Sequence, residues 1–177
     1  MDRELLRFNV LRNALYHTAR RRSLERWNRV FNFVVVVLGA AAFGQVVTQI
    51  AINPAWIGLI VAVVGALQLV MDFGRQARDH QSLQRDYYFL LADIEQNLDD
   101  SPERCAEWVG RMLRITADEP PTLRSIDAKA YNDALDAIGK FETSERLVIP
   151  LTHRLFGWIL PFEGHEYKKL REIRTEA

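Results

Sequence analysis

A chain of 177 residues is long enough for one domain with a modest core, and its 23 Lys+Arg balance 23 Asp+Glu. A balanced total argues against a dedicated nucleic-acid binder, which concentrates basic charge. The single cysteine, Cys105, excludes an intrachain disulfide and a cysteine-cluster zinc site.

Residues 1–29 read as a cytoplasmic N-terminal helix. Leu5, Phe8, Leu11, Leu15 and Ala19 recur at helical spacing, and no Gly or Pro interrupts them. Arg20, Arg21, Arg22, Arg26 and Arg29 follow, and then the charges stop. From Val30 to Phe73 there is one acid, Asp72, and no base.

Asn53-Pro54 divides this uncharged stretch into residues 30–52 and 54–73. As helices the two would span about 34 and 30 Å, against a hydrocarbon core of about 30 Å. Pro54 has no N–H and disfavours helical geometry at Asn53, yet suits the first position of the next helix. The spacing therefore predicts a transmembrane hairpin that turns at Asn53 and Pro54. Arg75, Arg78 and Arg85 follow the second segment, while the turn has no charge. By the positive-inside rule both termini are cytoplasmic in a multi-pass inner-membrane protein. Trp56 near the turn and Trp27 near the inner face suit interfacial positions.

Two other readings of the stretch are weaker. "GAAAFG" after "FVVVVL" imitates a signal-peptidase site, but about thirty charged-region residues precede it and a second span follows. Two core helices of a soluble protein would need a larger polar shell than this chain supplies.

Polar residues interrupt the apolar segments. Gln45, Thr48 and Gln49 share a face of the first, with Ala41 and Ile52. Gln68 and Asp72 stand on the second, beside the small residues Gly58, Ala62 and Gly65. Folding the hairpin at Asn53 sets Gln45 level with Val61, Gln49 with Ile57 and Gln68 with Leu38. None of these is a polar partner; only Asp72 has candidates, Asn32 and Arg75. Polar groups in hydrocarbon face protein or water. The glutamines then either join copies of the chain by interhelical hydrogen bonds or line a pore. Gly58, Ala62 and Gly65 suit close helix packing under both readings.

Residues 74–177 read as a cytoplasmic helical region. The second span continues into a helix with Leu83, Tyr87, Leu90, Leu91 and Ile94 on one face. "DDSP" breaks it, and Ser101 with Pro102 opens another whose apolar face is Cys105, Trp108, Val109, Met112 and Ile115. "ADEPP" ends that helix. A further one runs from about Leu123 to Phe141, with Ile126, Ala130, Ala134, Ile138 and Phe141 inward. Residues 147–164 are apolar and aromatic but cut by Pro150, Gly157, Pro161 and Gly164. They either pack on the cytoplasmic bundle or lie in the membrane interface, with Trp158 as anchor. The predicted fold is thus all-α: a two-helix transmembrane hairpin with long cytoplasmic helical extensions and a small C-terminal bundle.

No enzyme motif is present: no HExxH, no Gly-rich phosphate loop and no GxSxG. Neither catalysis nor a cofactor is expected. In a hairpin folded at Asn53, His17 is level with Phe89, about 13 Å along the axis from His80. That separation argues against a shared metal and for histidines hydrogen-bonded between cytoplasmic helices.

"ARRRSLERWNR" leading into the hairpin, "DFGRQARDHQSLQRDYYFLLADIE" leaving it, and the later "ITADEPPTLRSIDAKAYNDAL" resemble the SLATT domains of bacterial two-transmembrane proteins. The resemblance covers most of the chain. It rests on the helical pattern and on His17, Arg20, Arg78 and His80 flanking the hairpin. It implies a homo-oligomeric, pore-forming membrane effector of an antiviral conflict system, one that depolarises or kills an infected cell. The chain has no fused sensor domain, so the resemblance implies a separate sensor protein or a nucleotide signal. The alternative is a non-conducting membrane scaffold whose cytoplasmic helices recruit a partner.

Overall fold

A computed structural model describes residues 2–43 and 53–176. Among them the elements are helices, and the only strand-like feature is one antiparallel bridge, Leu147 to Lys169. Helix α1 runs Arg3–Phe43 without a break, as its lack of proline allows. Helix α2 is Pro54–Met71. Asn53 is its N-cap: the side-chain carbonyl accepts the Ala55 N–H at 2.9 Å, with Pro54 in the first turn. Helix α3, Phe73–Gln96, follows after Asp72 alone.

Asp72 is left-handed, with φ 37° and ψ 54°. Its N–H still reaches the Gln68 carbonyl at 3.0 Å, and its own carbonyl accepts the Gln76 N–H at 3.1 Å. The ladder therefore passes through the irregularity. Aspartate tolerates this geometry better than a bulky residue, because its short side chain bonds locally. Here Oδ1 accepts the Arg75 N–H at 3.1 Å.

The chain divides into two compact units, and α1 and α3 contribute to both. The unit Arg21–Arg78 has a small core of Leu24, Phe73 and Ala77, with Trp27 and Phe31 against it. Phe31 and Phe73 meet at a ring separation of 5.2 Å. Outside this core Ile57 is buried, but many apolar side chains face outward: Val36, Trp56, Val63, Leu69 and Val70 are all exposed. Among the described residues one helix, Ala55–Gln96, is long and apolar enough to cross a membrane, and only 11% of its apolar window is buried. A core helix of a soluble protein would be mostly covered. The uncharged part of α1 is described only to Phe43, so the first span of the expected hairpin lies partly outside the described residues.

The other unit comprises the chain up to Arg20 and from Asp79 onward. Its main core joins Leu6, Val10 and Ala14 of α1 to Tyr87, Leu90 and Ile94 of α3, and to Cys105 and Trp108 of α4 (Pro102–Thr116). Burying a large apolar side chain contributes about 1.5–3 kcal/mol. A second cluster sets Phe8, with Leu11 and Leu15, against Ala134 and Leu135 of α5 (Arg124–Ile138). Helix α1 is thus covered on two sides. This corrects the single stripe expected from its spacing: Leu5 is 50% exposed and Leu6 is fully buried. Ion pairing reinforces the contacts. Arg12 grips Asp127 of α5 through two nitrogens, and Arg3 donates to the Ile94 and Asn97 carbonyls where α3 ends.

Ser101 caps α4, accepting the Arg104 N–H at 3.3 Å, with Pro102 in the first turn, as the sequence indicated. Helix α5 stops earlier than expected. Gly139 is left-handed at φ 67° and its N–H bonds the Leu135 carbonyl, so Phe141 lies beyond the helix and is half exposed. A 3-10 turn (Thr143–Glu145) and two short helices, α6 (Leu151–Phe156) and α7 (Leu170–Glu176), complete the chain.

Residues 147–164 rest on the bundle mainly through their backbone. Buried Asn132 receives the Leu147 N–H at 2.8 Å and donates to its carbonyl at 2.9 Å. Arg20 donates to the Trp158 carbonyl at 3.0 Å. Gly157 lies so close to α5 that an added Cβ would stand 2.7 Å from Ser125 Cβ.

Candidate functional site

Of the polar residues picked out in the hairpin, Gln45, Thr48 and Gln49 lie outside the described residues. Gln68 does have a partner within its own chain: its Nε2 donates to Asn32 Oδ1 at 2.6 Å. The expected register, with Gln68 level with Leu38, is therefore corrected. It took Asn53 as the fold point, whereas Asn53 already caps α2.

Asp72 is exposed, and its carboxylate caps the start of α3 instead of meeting Asn32. On α2, Gly58 and Gly65 have nothing within 4 Å of where a Cβ would stand, and Ala62 is exposed. Among the described residues, these small residues thus meet no other helix closely.

A second polar group lies in the other unit. His17 of α1 and His80 of α3 meet Nδ1 to Nδ1 at 2.8 Å, and both are buried. The expected axial gap between them does not exist, for the same reason of register; the expected bond between helices does. Nε2 of His17 is 3.1 Å from Glu119 Oε1. The same oxygen accepts the Tyr87 hydroxyl, which also contacts Thr116 Oγ1 at 2.8 Å. The Tyr87 ring stacks on His17 with centroids 5.6 Å apart. Tyr16 packs edge-on to both histidines, and its hydroxyl accepts the Leu123 N–H at 3.0 Å.

The electrostatics follow from burial. A carboxylate accepts only, so His17 Nε2–H faces Glu119, and in the Nδ1–Nδ1 bond one ring donates and the other accepts. Burial, with His17 and Arg20 nearby, lowers the His80 pKa to about 3, which keeps it neutral. Burial and the Glu119 carboxylate raise the Tyr87 pKa, so the phenol remains a donor. Burial also raises Tyr16 and lowers Arg20.

This network ties α1 and α3 to the connection between α4 and α5. His17 uses both ring nitrogens, and no group of three or more His, Cys, Asp or Glu among the described residues is arranged to hold a metal. Sequence reading missed Glu119 because it lies in "ADEPP", which reads as a helix stop. Its signal is an acidic pair, Asp118-Glu119, held before two prolines.

The chain matches no protein-family model, no curated protein and no solved structure.

Proposed function

We propose that the chain is a multi-pass inner-membrane protein with cytoplasmic termini, whose two-helix hairpin assembles with copies of itself into a pore. In this reading it is an effector of the SLATT kind, released by a separate sensor protein or a nucleotide signal. The observation that carries it is the outward apolar surface of Arg21–Arg78, with 11% of the apolar window covered. Such a surface is costly in water and at home in lipid. Arginines flank the uncharged stretch on the side assigned to the cytoplasm. Among the described residues nothing stands against Gly58 or Gly65, and with exposed Ala62 they offer a face on which a neighbouring copy's helix can approach. Gln45, Thr48 and Gln49 are the candidate lumen or interhelical residues, and Asp72 is a candidate charge at the inner mouth.

The Gln68–Asn32 bond favours a second reading, a non-conducting scaffold, because it satisfies one candidate lumen residue within the hairpin. Induced expression with a membrane-potential dye separates the two: a pore collapses the potential, and a scaffold leaves it intact at equal membrane abundance. Replacing Gln45 and Gln49 together by leucine then separates lumen from glue. Lost conductance with intact oligomers marks a dewetted lumen, whereas oligomers that weaken along with conductance mark interhelical bonds.

A further inference from the structure

Large exposed apolar side chains are mostly scattered singly over the unit that contains the bundle, but between Val148 and Leu160 they crowd together. Leu151 is 68% exposed, Leu155 58%, Phe156 52%, Ile159 52% and Leu160 46%. Single exposed apolar residues are ordinary; a run of five within ten positions is not. The run does not result from a loose chain end. Its backbone is fixed by Asn132 at Leu147, by the tight Gly157–Ser125 contact and by Arg20 at Trp158.

The same segment borders a cavity of about 640 Å³ whose lining includes Lys129, Arg146, Arg154 and Trp158, with Asp133 as its one acid. Lys129 pairs with Asp133 and Arg146 with Asp136, but Arg154 has no acid partner among the described residues. The cavity therefore carries an excess of positive charge beside the apolar run. Trp158, which lines it, has the amphipathic ring that favours headgroup depth.

We propose that residues 148–160 form an interfacial surface that rests on an anionic lipid leaflet. Leu151, Leu155, Phe156, Ile159 and Leu160 enter the acyl boundary, and Arg154 with the cavity receives a lipid phosphate. The occupant follows from the pairing of an apolar run with excess cationic charge, which matches an anionic bilayer surface. A second protein surface would be expected to supply acids and leave no need for the apolar run to be so open. Arg20, which holds the segment, also stands only ten residues before the uncharged stretch begins at Val30. The inference rests on the membrane reading above.

The test uses the full chain with Cys105→Ser and one new cysteine at a time: Leu155→Cys in the surface, Val63→Cys in the uncharged helix, Leu98→Cys as an exposed control. Each carries a fluorophore and is reconstituted into phosphatidylcholine nanodiscs with or without phosphatidylglycerol. Lipid-borne and aqueous nitroxides report contact. The expected result is lipid quenching at Val63 in both discs, none at Leu98, and quenching at Leu155 that is several-fold stronger in anionic discs. Arg154→Gln should lower the anionic-lipid association by about fivefold, the effect of one cation near such a surface. Leu155 quenched only from water overturns the proposal, and Leu155 shielded from both quenchers overturns it in favour of a protein occupant. Equal quenching in both discs overturns the headgroup assignment. If Val63 itself escapes lipid quenching, the membrane reading fails, and this surface falls with it.

Discussion

His17 and His80 share one hydrogen bond between their Nδ1 atoms, at 2.8 Å, inside a unit where neither ring reaches water. Glu119 takes the other side of His17, so in the Nδ1–Nδ1 bond one ring donates and the other accepts. Sixty-three positions apart in sequence, the two rings fix the register of α1 against α3.

The first prediction is a pH dependence of stability. The unfolded chain protonates His80 at its ordinary value of 6.5, while the folded chain holds it neutral down to about 3. Between those values the unfolded state binds more protons, so stability is full above about pH 6.5 and falls as the pH drops toward 3. The contribution of this one group is at most about 1.4 kcal/mol per pH unit. Melting of detergent-solubilised protein over that range measures it. His80→Gln keeps a hydrogen-bonding partner for His17 without titrating, and should flatten the slope.

Glu119 is expected to be the most sensitive member of the network. Glu119→Ala leaves the His17 N–H without an acceptor in a buried site, at about 1–3 kcal/mol, while the Tyr87 O–H keeps Thr116 Oγ1. Tyr87→Phe removes one donor and should cost less. The double variant should cost less than the sum, because the groups share an oxygen. Chemical denaturation of the three variants measures the coupling.

Gly157→Ala should loosen the C-terminal segment. The added methyl would stand 2.7 Å from Ser125 Cβ and closer still to its hydroxyl. The expected loss is about 1–3 kcal/mol, read as faster proteolysis within residues 143–176. Ser125→Gly should restore part of it.

Gln68→Leu tests the hairpin bond. It removes the donor to Asn32 and, under the proposed membrane reading, should weaken the pairing of α1 with α2 by about 0.6–1.7 kcal/mol, the range for such bonds in membranes. Asn32→Leu combined with it should recover most of the loss, since neither helix then keeps an orphaned amide. Steric trapping or thermal melting in lipid discs reads the difference. Recovery in the pair marks a bond satisfied inside one hairpin, and no recovery marks a partner elsewhere.

Local physics was legible in the sequence. Proline position and cap chemistry gave Asn53-Pro54 as a helix start and Ser101-Pro102 as another, because both depend on adjacent residues alone. Periodicity gave the buried face of α3, and the absence of charge gave the apolar stretch around α2. Register depended on tertiary structure. Counting from Asn53 misplaced His17 and Gln68, since a helix start does not fix the register of one helix against another. Burial on two sides of α1 was also beyond a one-stripe reading, because two neighbours, α3 and α5, cover it from different directions. Glu119 joined the histidines only when the α4–α5 connection folded over them. Local conformational preferences are written in neighbouring residues, whereas a buried polar network is assembled from positions that only packing brings within hydrogen-bond reach.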